Sequence, residues 1–253
     1  MTQGCLLYAF NNETIDYKAM AEWSAQRIKR YLGLPTTIIS DLSLAQSGGQ
    51  RILNPLVRKK STWYNASRSN AWQDSPYDQT LILDVDYIVA SDQLLTLFKS
   101  NQYFACHTSV TDATGQNNFA SHEYFGQLQL PQAWATVCYF TRDDRANEIF
   151  DFVTMIKQNY AHYANLYKFA HKPFRNDYAF SLALTALNGH RLGQEFAIKW
   201  PLLTSSDNVV VDVIDDQITL YYNNNEKPMW NRLQRQDLHV MNKTSLGEVI
   251  ARN

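Results

Sequence analysis

Apolar runs and amphipathic segments alternate along the first third of the chain and predict a sheet with helical connections. Residues 5–10 form a short apolar run, as expected for a buried first strand. Residues 17–32 carry apolar side chains at helical spacing, and Gly33 ends this segment. A β-branched strand follows at residues 36–41. Strand, helix and strand in this order favour a parallel sheet, in which ligands bind beyond the carboxyl ends of the strands.

The segment at residues 75–89 places two carboxylates inside an apolar run. A turn, Ser-Pro-Tyr-Asp, leads into the predicted strand 81–83, and Asp84 and Asp86 follow with one residue between them. Apolar residues resume directly after Asp86. Charges inside a buried run normally need a partner, and a metal ion is the obvious one. The pattern therefore favours a metal site at the end of this strand over a pair of aspartates that only cap the next segment.

Other polar residues are expected at the same edge of the sheet. Asn11 and Asn12 follow the first predicted strand, and Asp41 ends the second. A short helix at residues 64–72 would carry Arg68 towards this edge. Because the carboxyl ends of parallel strands meet there, the sequence predicts one site assembled from distant segments.

The remaining segments predict further elements of a single domain that covers residues 1–253, with no internal repeat and no linker. The pattern indicates helices at 91–98, 143–163 and 174–187; strands at 103–107, 135–140 and 238–243; short antiparallel strands within 197–222; and a flexible loop at 111–119.

The composition is that of an ordinary globular protein. Of the 253 residues, 45% are hydrophobic and 19% are charged, which excludes a disordered chain. The formal net charge of −1 excludes a generally basic nucleic-acid coat but permits a local basic patch. Cys5, Cys106 and Cys138 lack the spacing of a zinc site or a disulfide scaffold, so we expect buried free thiols. No segment has the pattern of a signal peptide or a membrane span, so we expect a cytoplasmic protein without a membrane partner.

The residues around the two aspartates resemble a known motif, the DxD segment of GT-A-fold glycosyltransferases. They are most similar to those of the glycogenin and galactinol-synthase-like family, and similar short enzymes occur in bacteriophages. The residues that carry the resemblance are Ser75-Pro76-Tyr77-Asp78-Gln79-Thr80-Leu81-Ile82-Leu83-Asp84-Val85-Asp86. The resemblance implies an α/β fold with a mixed, mainly parallel GT-A (Rossmann-like) sheet, flanking helices and a small antiparallel C-terminal part.

The resemblance also implies an activity and a location. The enzyme would move a sugar from a nucleoside diphosphate donor, UDP-linked in this family, to an acceptor hydroxyl, with retention of the anomeric configuration. A divalent cation, Mn²⁺ or Mg²⁺, would stabilise the charge that develops on the leaving diphosphate. If the protein comes from a phage, the expected location is the cytoplasm of the host.

The resemblance implies metal ligands and phosphate contacts for this sequence. Asp86 and His239 would bind the metal, and Asp84 would bind either the metal, through water, or the ribose of the donor. Lys243 would contact the pyrophosphate, although the spacing His-Val-Met-Asn-Lys departs from the family pattern. On its own, a histidine in an apolar strand is more often a core residue.

The resemblance implies further donor-site contacts. Arg68 would touch the sugar and phosphate of the donor, and Tyr8, Asn11 and Asn12 would meet its base and ribose. Asp177 would face the transferred sugar, although an acidic residue at a helix N-terminus also stabilises the helix dipole.

The acceptor remains open at this point. A hydroxymethylated base in phage DNA is one candidate, with residues 58–60 (Arg-Lys-Lys), Arg232 and Arg235 as a phosphate-binding rim; a glycan, a protein and a small molecule are the others. Residues 58–60 equally fit a solvated surface loop. Two alternative functions are a nucleotidyltransferase, whose Gly-rich phosphate loop is missing at residues 11–14, and a non-catalytic module that binds nucleotide-sugars.

Overall fold

The computed structural model describes residues 1–40, 51–53, 64–117, 119, 123–170, 173–189, 194–206 and 208–252. The suggested site residue Asp41 and the basic cluster at 58–60 lie outside the described residues. In chain order, the strands are β1 Gln3–Tyr8, β2 Thr36–Ile39, β3 Arg51–Leu53, β4 Gln79–Leu83, β5 Tyr87–Ile88, β6 Phe104–His107, β7 Val110–Asp112, β8 Tyr124–Phe125, β9 Leu130–Pro131, β10 Trp134–Thr141, β11 Leu202–Ser205, β12 Val209–Ile214, β13 Gln217–Asn224, β14 Lys227–Gln234 and β15 Leu238–Val240.

Six α-helices and three short 3₁₀-helices accompany the strands within the described part of the chain. Of these, no helix is both long enough and apolar enough to cross a membrane. The α-helices are α1 Tyr17–Leu32, α2 Ala71–Asp74, α3 Asp144–Gln158, α4 Tyr160–Tyr167, α5 Asn176–Leu187 and α6 Lys243–Arg252; the 3₁₀-helices are Tyr64–Asn70, Gln93–Lys99 and Gln194–Phe196.

The central sheet has six strands in the order β3-β2-β1-β4-β10-β6. Strands β3, β2, β1 and β4 pair in parallel, whereas β10 runs antiparallel to both β4 and β6. A small antiparallel sheet, β12-β13-β14, forms in the C-terminal part. The predicted α/β fold with a mixed, mainly parallel sheet, flanking helices and a small antiparallel C-terminal part is thus confirmed.

The side chains of the central strands alternate between two apolar layers. Cys5 and Leu7 of β1 pack in one layer with the buried face of α1 and with Leu246 of α6. Leu6 and Tyr8 point to the opposite layer, which α3 and α5 cover. Strands covered on both faces need continuous apolar runs, which explains the sequence of β1 and β4.

Helix α1 has the bounds that its sequence pattern predicts. The Asp16 side chain accepts a hydrogen bond from the backbone N–H of Ala19 and caps the first turn. Gly33 ends the helix in the left-handed conformation, with φ of 67°, and its N–H bonds to the Lys29 carbonyl.

The predicted long helix at residues 143–163 is two helices. Helix α3 ends at Gln158, and α4 begins at Tyr160. Asn159 lies between them, with φ of −116°, and its side-chain amide donates to the Met155 carbonyl. Asparagine breaks the helix because its side chain competes with the backbone for such carbonyls.

A second sheet, β5-β15-β11-β7, corrects two sequence expectations. Residues 111 and 112, which were expected to begin a loop, belong to strand β7. Strand β11 lies parallel to β7 and to β15, whereas antiparallel pairing was expected. Pairing between segments so far apart in sequence leaves little trace in local patterns.

The C-terminal strand is shorter than expected. Strand β15 ends at Val240, and Lys243 is the first residue of α6 rather than part of the strand. The Asn242 side chain accepts a hydrogen bond from the Ser245 N–H, as an N-terminal cap does.

The three cysteines are buried free thiols, as expected. Cys106 lies beside Cys138 in the pairing of β6 with β10. Burial raises the pKa of Cys138 to about 12, so its thiol stays protonated.

Gly4 provides a test of the packing of β1. A Cβ atom at this position would overlap the ring of Tyr77, whose hydroxyl lies 2.9 Å from Thr37 Oγ1. We expect Gly4→Ala to lower the free energy of unfolding by about 1–3 kcal/mol, measured by urea denaturation. Gly247→Ala is the control, because its Cβ would lie 3.6 Å from Met20 Cε and a helical Gly→Ala change stabilises by up to about 1 kcal/mol. Equal effects of the two substitutions would contradict the packing.

His107 provides a test of burial through pH. Burial lowers its pKa from 6.5 to about 4, and its Nδ1 donates to the Trp200 carbonyl at 3.0 Å. The unfolded chain therefore binds this proton at a higher pH than the native state does, so stability is lost as the pH falls from 6.5 towards 4.

We expect the wild type to lose about 2 kcal/mol more than His107→Phe between pH 7 and pH 5. Urea denaturation at both pH values measures the difference. His162→Gln, at an exposed position, should keep the pH dependence of the wild type. A His107→Phe protein with an unchanged pH dependence would show that His107 is not buried in a neutral form.

Candidate active site

A cavity of about 540 Å³ opens where β1 and β4 end. Of the described residues expected to bind the metal or the donor, the cavity lining includes all except Asn11. The described residues that line it are Tyr8, Phe10, Asn12, Tyr17, Arg68, Asp84, Val85, Asp86, Trp134, Ala135, Thr136, Arg175, Asn176, Asp177, His239, Met241 and Lys243.

The backbone of the turn after β4 fixes both aspartates. The Asp84 N–H donates to the Thr136 carbonyl at 2.9 Å, which continues the pairing of β4 with β10. The Asp86 carbonyl accepts a hydrogen bond from the Val240 N–H at 3.0 Å. This last bond ties the turn to β15, so His239, the residue before Val240, lies next to Asp86.

Asp84, Asp86 and His239 form a cluster that could hold a metal ion. One potential ligand atom of each residue lies within 4.8 Å of those of the other two. His239 Nε2 is 3.8 Å from Asp86 Oδ1. Two carboxylates with one imidazole suit Mn²⁺, and the carboxylates alone suit Mg²⁺. The donor set therefore fits the divalent cation that the sequence predicts.

Lys243 pairs with Asp86. Its Nζ lies 2.6 Å from Asp86 Oδ2, and the Asp86 side chain is almost fully buried. Burial alone would raise the pKa of Asp86, but the positive charge of Lys243 and its hydrogen bond to the carboxylate outweigh this effect and hold the pKa below its ordinary value. Asp86 is thus a carboxylate, as a metal ligand must be.

Arg68 pairs with Asp84 from within the protein. Its guanidinium is buried; Nη2 lies 2.6 Å from Asp84 Oδ1, and Nη1 donates to the Ala135 carbonyl. Burial raises the pKa of Asp84, although Arg68 opposes this shift. Both terminal nitrogens of the guanidinium are hydrogen-bonded within the protein, one of them to Asp84. The main role of Arg68 is therefore to orient the Asp84 carboxylate.

Asp177 lies in the first turn of α5 but does not cap that helix. Its Oδ1 accepts a hydrogen bond from the Ala135 N–H at 2.8 Å, and Arg175 Nη2 lies 3.5 Å from its Oδ2. The carboxylate thus ties α5 to β10 while it lines the cavity. Ala135 is held through its N–H by Asp177 and through its carbonyl by Arg68.

The residues that follow β1 divide between the cavity and α1. The Tyr8 ring lines the cavity, while its hydroxyl donates to Asp74 Oδ2 at 2.9 Å. Asn12 also lines the cavity. Asn11 differs, because its amide oxygen accepts from the Lys18 N–H and its amide nitrogen donates to Asp16. The structure places Asn11 at the start of α1 and does not bring it to the cavity.

Sequence reasoning missed several residues of the site. The half-buried Tyr17 lines the cavity, and burial, with a smaller contribution from the two aspartates, raises its pKa. The only local signal was its position as the first residue of α1, the helix that follows β1.

Arg142 supports the site from outside the cavity lining. Its guanidinium donates to the carbonyls of Trp72, Ser75 and Tyr77 and so holds the turn before β4. No local sequence pattern connects Arg142, which directly follows β10, with the turn before β4.

The sequence matches no described protein family and no curated protein. Two solved glycosyltransferase structures resemble it in part. GlyE of Streptococcus pneumoniae TIGR4 is 14% identical with a TM-score of 0.44, over 78% of this chain and 45% of GlyE. The galactosyltransferase LgtC, in complex with donor and acceptor sugar analogs, is 15% identical with a TM-score of 0.41, over 65% of this chain and 70% of LgtC. The match thus spans less than half the length of GlyE, and values this low do not transfer an activity.

The buried Arg68–Asp84 pair can be tested by stability. Arg68→Met keeps the length of the side chain but leaves Asp84 without its cation, so we expect a loss of about 3 kcal/mol in the free energy of unfolding. Urea denaturation measures the loss. Arg145→Met is the matched control, because Arg145 pairs with Asp143 at an exposed position and should cost at most about 1 kcal/mol.

The double variant Arg68→Met/Asp84→Asn, compared with the single variant Asp84→Asn, completes a double-mutant cycle. Once Asp84 carries no charge, the effect of Arg68→Met should shrink. If Arg68→Met costs the same with and without the Asp84 carboxylate, the two side chains are not coupled.

Proposed function

We propose that this chain is a metal-dependent glycosyltransferase that moves a sugar from a nucleoside diphosphate donor to an acceptor hydroxyl. The observation that carries the proposal is the cluster of Asp84, Asp86 and His239, with Lys243 beside it, in a cavity at the carboxyl ends of β1 and β4. Ligands of parallel α/β sheets bind at this end of the strands.

The metal ligands support the chemistry of this transfer. Asp86 and His239 would hold a divalent cation, with Asp84 as a third ligand or a partner of the ribose. When bound, the cation stabilises the negative charge that develops on the leaving diphosphate. We favour Mn²⁺ because an imidazole accompanies the two carboxylates.

Two basic residues take different roles in the proposal. Lys243 is half-buried at the cavity, so its ammonium can reach the diphosphate once a cation takes its place beside Asp86. Arg68 is buried and bonded to Asp84, so we assign it to orienting that carboxylate and to raising the positive potential of the cavity. The resemblance also implies a contact of Arg68 with the sugar and phosphate of the donor, and Arg68 does line the cavity.

The other side of the cavity would receive the sugar and the acceptor. Asp177 lines the cavity, and its bond to the Ala135 N–H leaves Oδ2 near Arg175. We assign Asp177 to the transferred sugar, and Tyr8 and Asn12 to the base and ribose. UDP as the donor nucleotide, and retention of configuration, extend the proposal from the resemblance in sequence.

The acceptor is the least constrained part of the proposal. Arg232 in β14 and Arg235 after it are exposed, but neither lines the cavity. Their positions therefore give a DNA base no advantage over a glycan, a protein or a small molecule as the acceptor.

Asp86 provides the test of the activity. With Mn²⁺ and a panel of nucleotide-sugars, we expect release of the nucleoside diphosphate, and Asp86→Asn should lower that rate by at least about 100-fold, since a catalytic cation contributes several kcal/mol. Asp92→Asn, at an exposed position outside the cavity lining, should keep the wild-type rate. Full donor hydrolysis by Asp86→Ala in EDTA would refute the proposal.

Product analysis and thermal shifts on the same protein separate the alternative functions. A nucleotidyltransferase would release pyrophosphate from a nucleoside triphosphate instead. A binding module would show a thermal shift with UDP and Mn²⁺ but no turnover with any donor. Stabilisation by UDP only when the metal is present, together with turnover, is the result expected of a glycosyltransferase.

A further inference from the structure

His239 has a hydrogen-bonding partner that lies outside the cavity. Its Nδ1 is 3.1 Å from the hydroxyl oxygen of Thr204, and that hydroxyl is also 3.2 Å from the His239 backbone carbonyl. Thr204 is fully buried. The second contact has only one direction, because a carbonyl can accept but cannot donate a hydrogen bond.

The two contacts together select one tautomer of His239. The Thr204 hydroxyl has a single proton, and its bond to the carbonyl uses that proton. The contact with Nδ1 is then a hydrogen bond only if Nδ1 carries a proton and donates it to the hydroxyl oxygen. In the neutral imidazole, this leaves Nε2 without a proton.

The opposite tautomer has no comparable support. A proton on Nε2 would face Asp86 Oδ1 at 3.8 Å, which is longer than a hydrogen bond. The Thr204 hydroxyl would then have to donate to Nδ1 and give up its bond to the carbonyl. With the proton on Nδ1, the lone pair of Nε2 faces the two aspartates and is available to bind the metal ion of the proposed site.

The sheet fixes Thr204 in this position. Strand β11 lies between β15 and β7, and the parallel register places Thr204 beside His239 on one side and Asp112 on the other. The Thr204 carbonyl also accepts a hydrogen bond from the Ala113 N–H at 2.8 Å. Asp112 Oδ2 is occupied by its own loop, through Thr114, Gln116 and Asn117.

We propose that Thr204 is a positioning residue, which holds His239 with its proton on Nδ1 so that Nε2 can bind a divalent cation. The inference rests on the proposed metal site. Partners of this kind fix the ring orientation of metal-binding histidines, and their loss typically weakens metal affinity about 10–100-fold.

The test uses the intact chain with the tautomer and the metal affinity as separate readouts. In ¹⁵N-histidine-labelled protein without metal at pH 8, long-range ¹H–¹⁵N spectra should show the Nδ1–H tautomer for His239, assigned by its loss in His239→Gln. Thr204→Val has the same shape but no hydroxyl, and should lose this preference. Mn²⁺ titration followed by electron paramagnetic resonance should show about 10–100-fold weaker binding for Thr204→Val.

Thr204→Ser is the matched control, because it restores the hydroxyl and should keep both the tautomer and an affinity within a few-fold of the wild type. A proton on Nε2 in the wild type, or unchanged tautomer and Mn²⁺ affinity in Thr204→Val, would overturn the inference. A wild type that has the expected tautomer but binds no Mn²⁺ would uphold the tautomer and refute the proposed metal site, so the two failures are distinguishable.

Discussion

The hydrogen bond from the Val240 N–H to the Asp86 carbonyl joins the two halves of the candidate site. Asp86 follows β4 of the central sheet, whereas Val240 ends β15 of the second sheet. Because His239 immediately precedes Val240, this bond brings an imidazole from the C-terminal part of the chain to the carboxylates. The pairing of β15 with β5, in which His239 lies opposite Tyr87, holds the imidazole at the same place.

The charges of the site are arranged in two pairs that differ in burial. Arg68 is enclosed by protein and bonded to Asp84 and to the Ala135 carbonyl, so it is part of the framework. Lys243 begins α6 and is half-buried, so its ammonium has room to exchange Asp86 for another anion. A cation and a diphosphate could therefore enter beside Asp86 while Asp84 stays in place.

The sequence predicted those parts that local chemistry determines. The bounds of α1 follow from helical spacing and a terminal glycine, and β4 with its two aspartates follows from an apolar run that ends in charges. The proximity of Arg68 to the aspartates also followed from element order, although its bonding role did not. The break at Asn159 was missed because apolar spacing continues across it.

Features that depend on long-range pairing were not predictable. Thr204 contacts His239 only because β11 aligns with β15 in one register, and a polar residue in a short strand carries no local sign of such a role. Asn11 shows the converse, since its position after β1 suggested the cavity, while its amide bonds at the start of α1. Side-chain hydrogen bonds decide between these outcomes, and the sequence pattern does not encode them.

The most direct test of the account is a crystal of this chain soaked with Mn²⁺ and UDP, with anomalous scattering used to locate the metal. The account requires a manganese peak bound by Asp86 and His239 Nε2 and by the diphosphate, with Lys243 turned from Asp86 to the phosphates. A metal bound elsewhere, or UDP bound with Lys243 still paired to Asp86 and no metal beside it, would contradict it.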